Sequence, residues 1–298
     1  VGCFISRPAA RHRLTSSVPT EANQFIKKPL SVDALQGRLQ TRVFGQSLIE
    51  IHQQIDSTNN RARALGLAGA AEGALVLAET QTAGRGRRGR HWHSPPGLNL
   101  YFSLLLRPAL PPDQTSFVTL AAGVGSAEAV RRLSGLGASI KWPNDVLVGE
   151  RKIAGILTEM ETGPGRPSFV VLGVGLNVNL QAEGLPPELT ERAGSLAMAA
   201  NRTWDRIEVL AVLLEELERA YQDLISGGRD RIIKRYKQFC RTIGREVRIV
   251  QGEAAWEGRA LTVDDRGALV IRRSTDDRLI TVNAGEIMEV RIKQGAGP

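Results

Sequence analysis

Residues Gln81 to Trp92 read Gln-Thr-Ala-Gly-Arg-Gly-Arg-Arg-Gly-Arg-His-Trp, with four arginines interleaved among three glycines. Such a segment is not core. Guanidinium groups hold phosphate or carboxylate in a planar fork. Glycine lets backbone N–H groups approach a ligand closely and tolerates positive φ. The expected ligand is therefore an anion, and a segment this rich in glycine is expected to order only when the anion arrives. Taken alone, the same run equally fits a nucleic-acid patch or a solvated surface.

Three further clusters narrow the chemistry. Asp56-Ser57-Thr58-Asn59 is a run of helix-capping residues, which alone is simply a cap. Lys141-Trp142-Pro143-Asn144-Asp145 precedes an apolar strand, and the turn 149–152 returns the chain through Lys152 to a strand containing Gly155. Gly173-Val174-Gly175-Leu176-Asn177-Val178-Asn179 is a strand interrupted by glycine, which weakens a strand unless something must come close. A flat ring against the backbone is one such reason. Gly173-Val174-Gly175 is not the dinucleotide fingerprint, because the third glycine and the following helix are missing.

These groups need rigid supports. Apolar runs at 74–78 and 99–106 predict strands on either side of the arginine loop. A short helix is expected at 31–39, a strand at 48–53, and a helix from 60 to 67 behind the capping cluster. Apolar residues at three-to-four spacing predict helices over 113–136 and 205–225, the second with a capping box at Asp205 and Glu208 and a stop at Gly227-Gly228. A basic helix at 229–240 is read as a solvated face. Beyond Cys240 the texture changes to short strands at 246–250, 255–262, 268–273, 279–283 and 287–292, separated by Gly, Asp and Asn, which predicts a small barrel-like domain.

Composition sets the bounds. The chain has 298 residues, of which 42% are hydrophobic and 23% charged, as in ordinary globular proteins. Half of the net charge of +8 lies in residues 1–29, where Arg7, Arg11, Arg13, Lys27 and Lys28 face only Glu21. That stretch reads as an unpatterned tail, and without amphipathic periodicity it is a poor transit peptide. The two cysteines, Cys3 and Cys240, lack a metal-ligand spacing and point to a reducing, cytoplasmic compartment. His12, His52, His91 and His93 form no histidine-rich metal motif, and no apolar run approaches the roughly 20 residues that span a bilayer.

Taken in order and spacing, Asp56 to Asn59, Gln81 to Trp92, Lys141 to Asp145, 151–157 and Gly173 to Asn177 resemble the biotin protein ligases, over roughly residues 30–292. The resemblance implies an α+β fold: a mixed-sheet catalytic domain akin to lipoate ligases and class II synthetases at 30–242, then an SH3-like barrel at 243–293. It implies that ATP activates biotin to biotinyl-5′-AMP, with Mg²⁺ on the phosphates, before transfer to a lysine of a biotin carboxyl carrier domain such as that of acetyl-CoA carboxylase. Carried over, Ser57, Thr58, Asn59, Gln81, Gly84, Arg85, Gly86, Arg87, Lys152 and Gly155 resemble biotin-site positions. Arg87, Arg88, Arg90, Trp92, Lys141, Asn144 and Asn177 resemble the nucleotide side. Lys152, Arg87 and Arg85 are the catalytic candidates, and Asp145 is the metal candidate.

A homodimer is known in the family, although no interface is readable here. Bifunctional members carry an N-terminal DNA-binding domain of about 60 residues, whereas some 25 residues separate the tail from Asp56; a ligase without specific DNA binding is expected. A lipoate or octanoate ligase is the sister reading, disfavoured by the polar Ser57-Thr58-Asn59 cluster. A basic nucleic-acid-binding protein is the rival from another class, disfavoured because the arginine loop lacks interleaved aromatic residues that would stack on bases.

Overall fold

The computed structural model describes residues 28–163, 167–251, 253–283 and 289–292. The tail expected at 1–29 falls, up to residue 27, outside the described residues. Strands β1 (Ile49–Ile55), β2 (Leu75–Gln81), β3 (Leu100–Leu106), β4 (Ala138–Lys141), β5 (Asp145–Val148), β6 (Arg151–Thr162) and β7 (Pro167–Leu176) form one sheet in the order β1-β2-β3-β7-β6-β5-β4. Only β1 and β2 pair in parallel; the other neighbours are antiparallel. This is the mixed sheet expected of the catalytic domain.

The sheet is covered unequally. Helices α1 (Val32–Gln36), α2 (Thr58–Leu67), α3 (Ser116–Ser134), α4 (Leu196–Ala200), α5 (Arg206–Ile225) and α6 (Arg229–Phe239) complete the body. Alternation along β3 sorts the two faces: Phe102, Leu104 and Leu106 join the large core, where α3 packs on α5, while Ser103 and Leu105 face α2. The α5 stripe of Ile207, Leu210, Leu214, Leu217, Tyr221 and Leu224 is buried throughout, each such side chain contributing about 1.5–3 kcal/mol. Asp205 caps α5 by accepting from Ile207 N at 2.8 Å.

A single helix, α2, covers part of the other face, over β2, β3 and β7. It packs closely there: a Cβ on Gly66 would lie 2.8 Å from the Phe169 ring. The remainder of that face is left for the site. A buried pair also ties the start of the described chain to the core. Arg206 donates to both Glu79 oxygens at 2.7 and 3.1 Å and to the Lys28 carbonyl, while Leu30 N donates to Glu79 Oε1 at 2.8 Å.

Strands β8 (Glu246–Gln251), β9 (Ala254–Val263), β10 (Leu269–Arg273), β11 (Leu279–Val282) and β12 (Glu289–Ile292) make a second, antiparallel sheet in the order β11-β10-β9-β8-β12. These are the short strands read from the sequence, although residues 287 and 288 of the last lie outside the described residues. Two elements were not anticipated. Strand β4 is four residues long and α4 five, too short for periodicity to register. Helix α2 starts at Thr58 rather than at residue 60, because Ser57 takes the N-cap position.

Candidate active site

The site lies on the sheet face that α2 leaves open. Strands β2 and β3 are antiparallel neighbours, so the arginine segment between them returns on itself. A bridge between Arg85 and His91, with Gly86 N to Arg90 O at 2.6 Å and Trp92 N to Gly84 O at 2.9 Å, holds it as a narrow arch. Arg88 occupies its apex at φ 58°, in left-handed backbone. The arch covers an open cavity of ≈ 470 Å³, counting the solvent at its mouth. Ser57, Thr58, Asn59, Gln81, Arg85, Gly86, Arg87, Trp92, Asn144, Lys152 and Gly155 all line it, as do Leu157, Gly173 and Gly175.

Three glycines make the floor. A Cβ on Gly175 would sit 2.5 Å from Trp92 Cε2, one on Gly155 2.8 Å from Trp92 Cζ3, and one on Gly173 2.1 Å from Asn59 Oδ1. Real Cβ contacts are not that short, so β6 and β7 carry glycine where the indole and the Asn59 amide touch the backbone. The ring expected against this strand is thus, here, the protein's own Trp92. Its Nε1 is buried against β7 without a hydrogen-bond partner among the described residues.

One wall is polar and neutral. Gln81 Oε1 accepts from Thr58 N at 2.9 Å, and Ser103 Oγ lies 2.8 Å from Thr58 Oγ1 and 2.6 Å from Asn59 Oδ1. These groups surround the N-terminus of α2, where helix amides carry partial positive charge. The Ser57 hydroxyl is buried and makes no capping bond, so it remains at the wall.

The opposite wall is cationic. Lys152 enters β6 beside Asp145, with Nζ 2.6 Å from Oδ1 and 5.1 Å from the centre of the Trp92 ring. Arg87 Nη1 donates to Asn144 Oδ1 at 3.4 Å, and Asn144 Nδ2 donates to Ile156 O at 2.7 Å, which holds the amide in place. Burial pulls the Arg87 guanidinium below its ordinary pKa; Asp145 opposes this, while Arg88 and Arg90 add to it by repulsion. A partly desolvated cation beside two others is set up to receive negative charge.

The turn carrying Asn144 and Asp145 is fixed from behind. Trp142 is 1% exposed, its backbone N donates to Thr242 Oγ1 at 2.9 Å, and its Nε1 donates to Gly267 O at 3.1 Å, in the turn between β9 and β10. Tyr236 of α6 donates to Pro143 O at 3.0 Å. Helix α6 and the C-terminal sheet therefore both buttress the cationic wall.

Comparison with known proteins now decides the family. Residues 51–177 match the profile of the biotin/lipoate A/B protein ligase family, and residues 242–288 match the biotin protein ligase C terminal domain. The chain is 38% identical over 257 residues to the bifunctional ligase/repressor BirA of Bacillus subtilis, covering 86% of this chain and 79% of that one. It is 33% identical over 272 residues to the biotin–[acetyl-CoA-carboxylase] ligase of Mycobacterium tuberculosis, covering 89% of this chain and 98% of that one. This chain belongs to the biotin protein ligase family. The solved biotin protein ligase from Aquifex aeolicus in complex with biotin and ATP superposes with a TM-score of 0.71 at 28% identity, over 83% of this chain and 99% of that one. The chain is accordingly an ATP-dependent ligase, with the mixed-sheet catalytic fold and small C-terminal domain of the family.

Within this ligase, some candidate residues stand outside the cavity lining. Gly84 is buried under the arch, where a Cβ would meet Trp92 O at 2.9 Å. Arg88 and Arg90 are exposed on the arch. Lys141 sits opposite Asp145 in the β4–β5 pairing, at the foot of the Trp142-Pro143-Asn144 turn. Asn177 donates its Nδ2 to Gly194 O at 2.8 Å, tying the end of β7 to a neighbouring loop. Two residues that the sequence did not single out belong to the site's support: Ser103, wholly buried on β3, and Glu159, on β6, which accepts from Asn59 Nδ2 at 2.6 Å. A polar residue within the apolar run 99–106 was the available signal for the first.

Proposed function

We propose that this ligase activates biotin with ATP and passes the biotinyl group to one lysine of a biotin carboxyl carrier domain. The observation that carries the reading is the division of one cavity into a neutral polar wall at the N-terminus of α2 and a cationic wall of Arg87 and Lys152, over a glycine floor. Ser57, Thr58, Asn59 and Gln81 supply donors and acceptors for a cyclic urea, with Gly84, Arg85, Gly86 and Gly155 shaping its surroundings. Arg87, Arg88, Arg90, Trp92, Lys141, Asn144 and Asn177 form the nucleotide side, in which Asn177 acts by fixing the end of β7. The biotin/ATP complex of the Aquifex relative supports the pairing of these two ligands.

In the first step a biotin carboxylate oxygen attacks the α-phosphorus of ATP and pyrophosphate leaves. Lys152 and Arg87 lower the barrier by holding positive charge where the pentavalent phosphate develops negative charge. In the second step the neutral amine of the carrier lysine attacks the acyl carbon, AMP leaves, and the amine's proton is released. The protein contributes no nucleophile to either step; it aligns the reactants and shields the anhydride under the arch.

The donor set fits Mg²⁺ only as a cation brought in on the nucleotide. Among the described residues no three His, Cys, Asp or Glu side chains converge, and Asp145 already pairs with Lys152. Asp145 would hold one hydrated edge of such an ion, whose chemistry is to neutralise the departing pyrophosphate. Within this reading residues 30–242 form the catalytic domain and 243–293 the C-terminal module, and the carrier lysine rather than DNA is the macromolecular substrate.

The test is ATP–pyrophosphate exchange driven by biotin, lipoate or octanoate. Exchange with biotin alone, lost by about 100-fold or more in Lys152→Ala, supports the proposal. Exchange with lipoate or octanoate instead would move the chain to the sister activity of its family.

A further inference from the structure

Glu159 lies on β6 outside the cavity lining, yet it touches two residues that line it. Asn59 Nδ2 donates to its Oε2 at 2.6 Å, and Arg85 Nη2 lies 3.2 and 3.1 Å from Oε1 and Oε2. A carboxylate only accepts hydrogen bonds. Asn59 must therefore turn its amide nitrogen toward Glu159 and its oxygen inward, to the Ser103 hydroxyl 2.6 Å away. The single Ser103 proton is then committed to Asn59, which leaves the Thr58 hydroxyl, 2.8 Å from Ser103 Oγ and 3.1 Å from Gln81 Oε1, as the donor at this step. Gln81 Oε1 takes the Thr58 backbone N–H, which leaves the Gln81 amide nitrogen as that side chain's donor, 3.4 Å from Ser94 Oγ.

One anion at the rim thus orders Asn59, Ser103 and the Thr58 hydroxyl, which meets Gln81, itself oriented by the Thr58 backbone N–H. We propose that Glu159 is a positioning residue that sets the hydrogen-bond polarity of the neutral wall, and so its selectivity for a ring presenting one carbonyl acceptor and two N–H donors. The proposal rests on the reading of biotin as substrate and deepens it. Of the two contacts, the Asn59 bond carries the larger effect. The Arg85 pair is 39% and 41% exposed, and such pairs are worth a few-fold in equilibrium at most. The Asn59 bond is short, charge-assisted and part-buried, the class whose loss costs about 10- to 100-fold.

The test titrates biotin into the full chain by calorimetry and measures the ATP KM of exchange and the melting temperature alongside. Glu159→Ala is expected to raise the biotin Kd by about 10- to 100-fold with the ATP KM and Tm unchanged. Glu159→Gln is expected to recover most of the affinity, because Arg85, a donor only, keeps the glutamine oxygen turned toward itself and Asn59. A wild-type biotin Kd in Glu159→Ala would overturn the proposal. So would a Gln variant as weak as the Ala variant, since charge rather than bond direction would then be at stake, or a joint rise of biotin Kd and ATP KM with a falling Tm. If the wild-type chain itself failed to bind biotin, the functional reading would fall, and this inference with it.

Discussion

Gly175→Ala separates site geometry from fold stability. The new methyl would stand 2.5 Å from Trp92 Cε2 and 2.7 Å from both Cζ2 and Nε1, so the indole must lift by about 1 Å to regain ordinary contact near 3.5 Å. Two terms oppose each other. Replacing a strand glycine whose φ is not positive favours the folded state by about 0.4–1 kcal/mol, through the lost freedom of the unfolded chain. Overpacking costs about 1–3 kcal/mol when neighbours must move. Trp92 stands on the arch rather than in the core, so the cost is met by displacing the arch. We expect a Tm within about 3 °C of wild type and a fall in kcat/KM for ATP of about 5- to 150-fold, the overpacking cost expressed as a rate. Exchange kinetics and thermal melting on the same preparation decide. A variant that melts normally and exchanges normally would refute the assignment of Trp92 to the nucleotide side, and a large loss of Tm would show that the indole is part of the core.

Other perturbations follow from the same contacts. Arg206→Met leaves Glu79 charged and buried at 5% exposure, and should cost about 3–5 kcal/mol in urea unfolding; the double variant Arg206→Met/Glu79→Leu should recover much of that. Glu50 is held down to about 2 chiefly by its bond to Arg61, with His52 assisting against desolvation. Its folded-state pKa lies below the unfolded value near 4.3, so its stabilisation is complete above that value and is lost as pH falls toward 2. The stability gap between wild type and Glu50→Gln, followed by denaturant midpoint, should therefore narrow steadily below about pH 4.3. Trp142→Phe leaves the Gly267 carbonyl unsatisfied in a buried place and should lower stability by about 1–3 kcal/mol, with a matching loss of affinity for ATP.

The parts of the site visible in sequence were those whose chemistry is local. Asp56 to Asn59, the arginine arch and Lys152 announce themselves because polar or glycine-rich clusters interrupt apolar runs. The supports were not visible. Glu159 looks like any polar residue on a half-exposed strand, and its role depends on Asn59, 100 positions earlier. Asn177 shows a second role that sequence hides: it follows a glycine-broken strand as a ligand-binding residue would, and one of its amide N–H groups also ties the strand end to Gly194. Strand β4 escaped notice because its four residues acquire strand character only from pairing with β5.

The bond from Trp142 to Gly267 has a consequence for the order of events at the ribosome. Synthesis runs from the N-terminus, so both walls of the cavity emerge well before Gly267 does. Until residues 242 and 267 have left the exit tunnel, the turn bearing Asn144 and Asp145 lacks the acceptors that fix its tryptophan. A nascent chain halted near residue 240 would hold every side chain that lines the cavity and still lack the brace behind it. The support of the cationic wall is therefore completed only by residues made after its lining.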